Sequence, residues 1–126
     1  MDPIEEIRLI NPQELSPSLQ VISTYISNSL WYELGESLIK FLELPTLLGH
    51  RRLVFDELIE KYSTSLQAFH YAHLILLASE EFGSPDETIQ FLEKMASSQN
   101  FKDKNEPKAL ILLRKVDVMT QKGDFE

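Results

Sequence analysis

Few residues of this 126-residue chain are equipped for chemistry, and the first to consider are its three histidines, His50, His70 and His73. His70 and His73 stand at i and i+3 in the stretch HYAH, so a helix would carry both imidazoles on neighbouring positions. Glu80 or Glu81, two turns further on, would then be the third ligand of a metal site. The stretch lacks the H-E-x-x-H arrangement that supplies two zinc ligands and a general base. It reads first as packing, with His73 in a core and His70 at its edge. Ser37 in LGESL is no nucleophile elbow, because that device needs G-x-S-x-G on a strand-to-helix turn and Ser37 falls inside a helical pattern. No phosphate-binding glycine loop occurs. The pairs Asp56–Glu57 and Glu80–Glu81 are adjacent in sequence, so on a helix they point about 100° apart, as solvated carboxylates do. Without cysteine there is neither a thiol nucleophile nor a thiolate metal site. The expectation is a protein with no catalytic residue, no metal and no cofactor.

The charge is unevenly spread along the chain. Residues 1–93 hold 15 acidic and 5 basic side chains, whereas residues 94–122 hold 3 acidic and 7 basic ones. The acidic body disfavours nucleic acid and anionic membranes. The basic set Lys102, Lys104, Lys108, Arg114 and Lys115 has one aromatic among it, Phe101, which is too weak a pattern for a nucleic-acid surface. Two readings of that set stand: a solvated loop and helix face, or an electrostatic contact with an acidic protein. The longest apolar runs, such as Leu74–Ala78 and Ala109–Leu113, fall far short of the ~18–20 residues of a membrane span. The acidic start, MDPIEEIRLI, has no apolar signal region. These features fit the cytoplasm and nucleus.

The elements that must position these residues are helical throughout. Asp2, Pro3 and Glu5 have the spacing of a capped helix start, NPQELSP then interrupts, and Ser16–Pro17 opens a second helix carrying Leu19, Ile22 and Ile26. After Asn28–Ser29, Trp31, Leu34, Leu38 and Leu42 share one face until Pro45. A loop through Gly49 leads to RRLVFDELIEKY, with Phe55, Leu58, Ile59 and Tyr62 as its stripe. The next helix is apolar on most of its circumference through Leu66, Phe69, Ala72, His73, Leu76 and Leu77, so it is expected to be central. Ser84, Pro85 and Glu87 start a further helix containing Phe91 and Leu92. In the last one, KALILLRKVDVMTQK, the stripe Ala109, Leu113, Val116 and Met119 is expected to face inward. This gives about six helices in a single domain over residues 1–126. The predicted core holds Trp31, Leu34, Leu38, Phe55, Leu58, Phe69, Leu76, Phe91 and Leu92. Gly123 and Asp124 read as a turn into another helix, which would make the chain an N-terminal fragment. ESLIKFLE (36–43) and DETIQFLE (86–93) echo each other at a spacing of 50, either as a repeat or as two amphipathic helices that align by chance.

LWYELGESL, from Leu30 to Leu38, matches most of the opening pattern of a tetratricopeptide repeat, W-x2-L-G-x2-Y. The second helix of that repeat continues with Ala, Phe and Ala, then Pro, and Leu47, Arg51, Val54 and Ile59 stand in those places, so the small residues that let the two helices approach are missing. Related helix-on-helix packing is expected, without the repeat's peptide groove. SLWYELGESLIKFLE, LVFDELIEKY, TIQFLEKM and the closing Lys122–Gly123–Asp124 instead resemble, in order, the family of the ninth non-ATPase subunit of the 26S proteasome lid. Phe55 stands where that family usually has tyrosine, and Glu57–Leu58 where it has an Asn-Phe pair. The resemblance covers about Leu30 to Asp124. It implies an all-α array of stacked antiparallel helical hairpins, a TPR-like α-solenoid that precedes a PCI winged-helix module in the longer protein. It implies a non-catalytic scaffold arm that meets other lid subunits and the ubiquitin-receptor subunit, in support of ubiquitin-dependent degradation. Helical arms of this kind also serve the COP9 signalosome and a translation initiation factor.

Overall fold

The structure, a computed structural model, describes residues 3–101 and 103–122, and among them there are seven α-helices and no strand. They are α1 (Pro3–Ile10), α2 (Pro12–Ser27), α3 (Trp31–Leu42), α4 (Arg51–Val54), α5 (Ala68–Ser79), α6 (Pro85–Ala96) and α7 (Asn105–Lys122). α4 runs on through a π-helical segment, Phe55–Ile59, and a 3-10 turn, Glu60–Tyr62. Each helix packs on its neighbours in chain order: α2 on α3, the α4 segment on α5, and α6 on α7. α3, α5 and α7 also contact one another in sequence, so they form one layer backed by the other helices. This is an all-α stack of hairpins.

Local signals explain most boundaries. Ser84 caps α6 by accepting from the Glu87 amide at 3.2 Å, with Pro85 in the first turn, where its missing N–H costs nothing. α2 begins earlier than the Ser16–Pro17 start expected from sequence. Asn11 accepts from the Glu14 amide, Pro12 takes the first helical position, and Pro17 lies inside the helix. Pro17 deprives only the Gln13 carbonyl of its partner. Both residues are exposed, so water can replace the bond. α2 ends at Asn28, whose side-chain amide donates to the Thr24 carbonyl, and Ser29 then takes a left-handed φ of 55°. Asp2, Gly123 and Asp124, invoked for the first cap and the final turn, lie outside the described residues.

One core joins the layers. Leu34, Leu38, Phe55, Leu58, Phe91 and Leu92 are buried. The Phe55 ring stacks on Tyr71 at 6.0 Å and meets Phe91 edge-on at 5.6 Å, and Tyr71 stacks on Phe101 at 5.5 Å. Arg52 lies over both Phe82 and Phe91, at 4.5 and 4.6 Å from the ring centres. Trp31 and Leu76 are half-buried against this core, and Trp31 stacks on Tyr62.

The place where the tetratricopeptide pattern fails is held by a buried arginine. Arg51 Nε donates to the Leu42 carbonyl at the end of α3 (2.8 Å), and one terminal nitrogen pairs with Glu80 after α5 (2.7 Å). Arg51 thereby satisfies an orphan helix-end carbonyl and ties three elements together. Gly35, the glycine of the opening motif's L-G pair, faces α5. A Cβ there would lie 2.2 Å from His70 Nδ1, so the missing side chain is what lets α5 sit against α3.

Three inward assignments fail. Phe69 is 52% exposed, because α5 buries the arc holding Tyr71, Leu74, Ile75 and Ala78 and leaves Phe69 on the opposite side. The two histidines exchange places: His70 is buried at the Gly35 notch, and His73 is exposed. On α7 the inward residues are Pro107, Ile111 and Val118, while Ala109, Leu113 and Val116 are exposed and Met119 is half-buried. α7 is apolar on two faces, and its contact with α6, including Lys115–Glu93, selects one of them. The 36–43 and 86–93 echo pairs a second hairpin member, α3, with a first one, α6, so the two segments hold different places in the stack.

Candidate protein-docking face

The layer α3–α5–α7 leaves an open apolar surface. The exposed side of α5 carries Phe69 and His73, with half-buried Leu76 beside them. These three share a groove of about 350 Å³ with Ile39 and Glu36 of α3 and Leu110 of α7. The groove continues past Phe69 into a second hollow of about 520 Å³, toward Lys104, Glu106 and Pro107 at the start of α7. Along α7, Leu113 stands one turn after Leu110, and Val116 one turn after Leu113. Leu110, Leu113 and Val116 are 43, 61 and 55% exposed. Scattered exposed leucines are ordinary, but apolar side chains of α5 and α7 that meet at one open groove, with further exposed apolar residues one turn apart along α7, mark an interaction surface.

Polar groups edge one end of this strip. Glu36 lies 3.3 Å from His70 Nε2, and the Tyr32 ring tilts against the His70 ring at 5.1 Å. A hydrogen bond from the Tyr32 hydroxyl to Glu36, and the charge of that carboxylate, raise the Tyr32 pKa above 10.0. His70 Nδ1 is buried against Gly35 without a hydrogen-bond partner. Glu80 pairs with Arg51 rather than with either imidazole. Among the described residues no group of three or more His, Cys, Asp or Glu side chains has the geometry to hold a metal ion. No helix described is long and apolar enough to cross a membrane.

The basic set singled out by sequence does not form one patch. Lys115 pairs with Glu93 at 2.8 Å. Arg114 borders a separate hollow beside Glu80, Ser84 and Gln121. Lys104 lies at the groove's end near Phe69, and Lys108 is half-buried. Lys102 lies outside the described residues. The strip formed by Phe69, Leu110, Leu113 and Val116 was missed. Its signal was the second apolar face of α7, visible in the run ALILL.

Residues 18–125 match the family model described as PSD13 N-terminal repeats. The chain belongs to that family. It is thus the N-terminal helical region of a proteasome lid subunit, a class of protein that assembles with other proteasome subunits. No curated protein and no solved structure gives a significant match. The matched span contains both faces of the α3–α5–α7 layer, so the open strip lies within the family's own region.

Proposed function

We propose that this chain is a non-catalytic scaffold arm of the ninth non-ATPase subunit of the proteasome lid, and that it supports lid assembly and so ubiquitin-dependent degradation. Membership of the PSD13 N-terminal repeats supports the reading, and the observation that carries it is the open apolar strip on an otherwise packed helical stack. A helical arm with a docking face has a use for exposed leucine, whereas a self-sufficient fold does not. The proposal places the arm next to other lid subunits and the ubiquitin-receptor subunit, in the cytoplasm and nucleus, ahead of a PCI winged-helix module. Nucleic acid and membranes have no part in it.

Affinity purification of the tagged protein followed by mass spectrometry tests this reading. Stoichiometric lid subunits are expected, and Leu113→Asp is expected to deplete them without loss of helicity. Recovery of COP9 signalosome or initiation-factor subunits in place of the lid overturns it.

A further inference from the structure

The rim of the docking strip carries a charge pattern that the linear sequence conceals. On α7, Glu106 is four residues before Leu110, and Asp117 is four residues after Leu113, so both carboxylates lie on the leucine side of the helix. Both are exposed. Glu36, on α3, borders the same groove from its far wall. Lys104 is the one cation among the residues that line the two hollows. The nearby positive charge of α7 is turned elsewhere, with Lys115 spent on Glu93 and Arg114 beside the hollow at Glu80. The most basic segment of the chain therefore presents an apolar face edged by carboxylates.

We infer that this face receives a basic amphipathic helix of a partner protein, whose apolar side covers Phe69, Leu76, Leu110 and Leu113 and whose flanking Lys or Arg side chains meet Glu36, Glu106 and Asp117. Dimensions agree with that occupant. Phe69 to Leu76 and Leu110 to Val116 each extend about 10 Å along their helices, the span of two helical turns, and a helix laid in such a groove reads it through i, i+3, i+4 and i+7 anchors. A second copy of the chain is the poorer fit, because its own strip brings the same carboxylates to the contact and the chain's net charge is −8. The inference rests on the chain being an interaction arm, but not on the proteasome being its assembly.

Two synthetic helical peptides of about 14 residues, or four turns, test it on the whole chain. Both carry one leucine face, and one is flanked by lysine and the other by glutamate. Fluorescence anisotropy is expected to show the lysine-flanked peptide binding at least about tenfold more tightly at low salt, with the gap narrowing as salt rises. Glu106→Lys together with Asp117→Lys is expected to erase or invert that preference. Leu113→Asp is expected to abolish binding with helicity unchanged, since Leu113 is 61% exposed. Equal or tighter binding of the glutamate-flanked peptide, no binding of either peptide, or binding indifferent to Leu113→Asp overturns the inference. Sedimentation that shows self-association removed by Leu113→Asp also overturns it, by making a second copy the occupant. Because neither peptide derives from the lid, failure here and failure to recover lid subunits remain distinguishable.

Discussion

The aromatic core around Phe55 and the outer strip of α5 and α7 draw on the same residue types, yet only one of them is closed. Phe55, Tyr71, Phe91 and Phe101 lock together by stacking and edge contacts, whereas Phe69, Leu113 and Val116 face outward. The two regions belong partly to the same helix, since Tyr71 and Phe69 both come from α5, on its buried and exposed sides. Apolar character alone thus does not identify the core of this molecule. What separates the regions is whether a neighbouring helix closes the space, and for the outer strip the described chain supplies none.

The comparison breaks most visibly at its extremes. Phe55→Ala removes a fully buried ring that contacts two others, and a loss of about 3–5 kcal/mol is expected from denaturant unfolding. Leu113→Ala, on the strip, is expected to stay within about 0.5 kcal/mol. Equal effects would mean that the strip is core and that the docking argument fails.

Arg51→Met should cost less than Phe55→Ala and more than any strip variant. It strips the Leu42 carbonyl of its donor and leaves the buried Glu81 carboxylate, 3.8 Å from Arg51 Nε, without its cation. About 2 kcal/mol is expected, below the range for a fully buried pair because Glu80 is half in water. Gly35→Ala follows at about 1–2 kcal/mol, through the clash with His70. His70→Ala should relieve that clash, so a double-mutant cycle is expected to show coupling between the two sites. Additive effects would refute the notch between α3 and α5.

Much of this was legible in the sequence. The faces of α3 and α6 followed from helical spacing, because each has one apolar stripe and one polar side. α5 and α7 are different. α5 is apolar nearly all round, so spacing could not distinguish Phe69 from Tyr71, or His73 from His70. α7 offers two apolar faces, and choosing Leu113 over Ile111 required knowing where α6 lies. Arg51 was read only as a misfit, since its partners Leu42 and Glu80 are 9 and 29 residues away. The acidic rim of the strip was hidden for a related reason: Glu106 and Asp117 lie in a run whose overall charge is positive, and only the helix separates them from Lys115.

Two tyrosines carry the comparison into pH. Tyr32, on the outer side, is exposed and owes its raised pKa first to its hydrogen bond with Glu36. Tyr71, inside, is pushed up to about 12 chiefly by burial, with the charge of Glu60 adding to the rise and a hydrogen bond with Ser63 opposing it. In the unfolded chain the Tyr71 phenol returns to the ordinary 10.0, so the unfolded state gives up its proton first as pH rises. The stabilisation from keeping this phenol neutral is therefore complete below pH 10 and lost as pH climbs from 10 through about 12. Tyr71→Phe retains the stacking on Phe55 and Phe101 and gives up a weak contact with Met95 sulfur at 3.7 Å and the hydrogen bond with Ser63. Its stability at neutral pH should change by less than about 1 kcal/mol, and its decline in alkali should be shallower than that of the unmodified protein. Tyr32→Phe should flatten the alkaline decline less than Tyr71→Phe does, because the Tyr32 phenol is exposed and solvent screens its interaction with Glu36. Denaturant midpoints measured across this alkaline range decide the matter: if Tyr32→Phe flattens the curve and Tyr71→Phe does not, the inside and outside of the layer have been assigned the wrong way round.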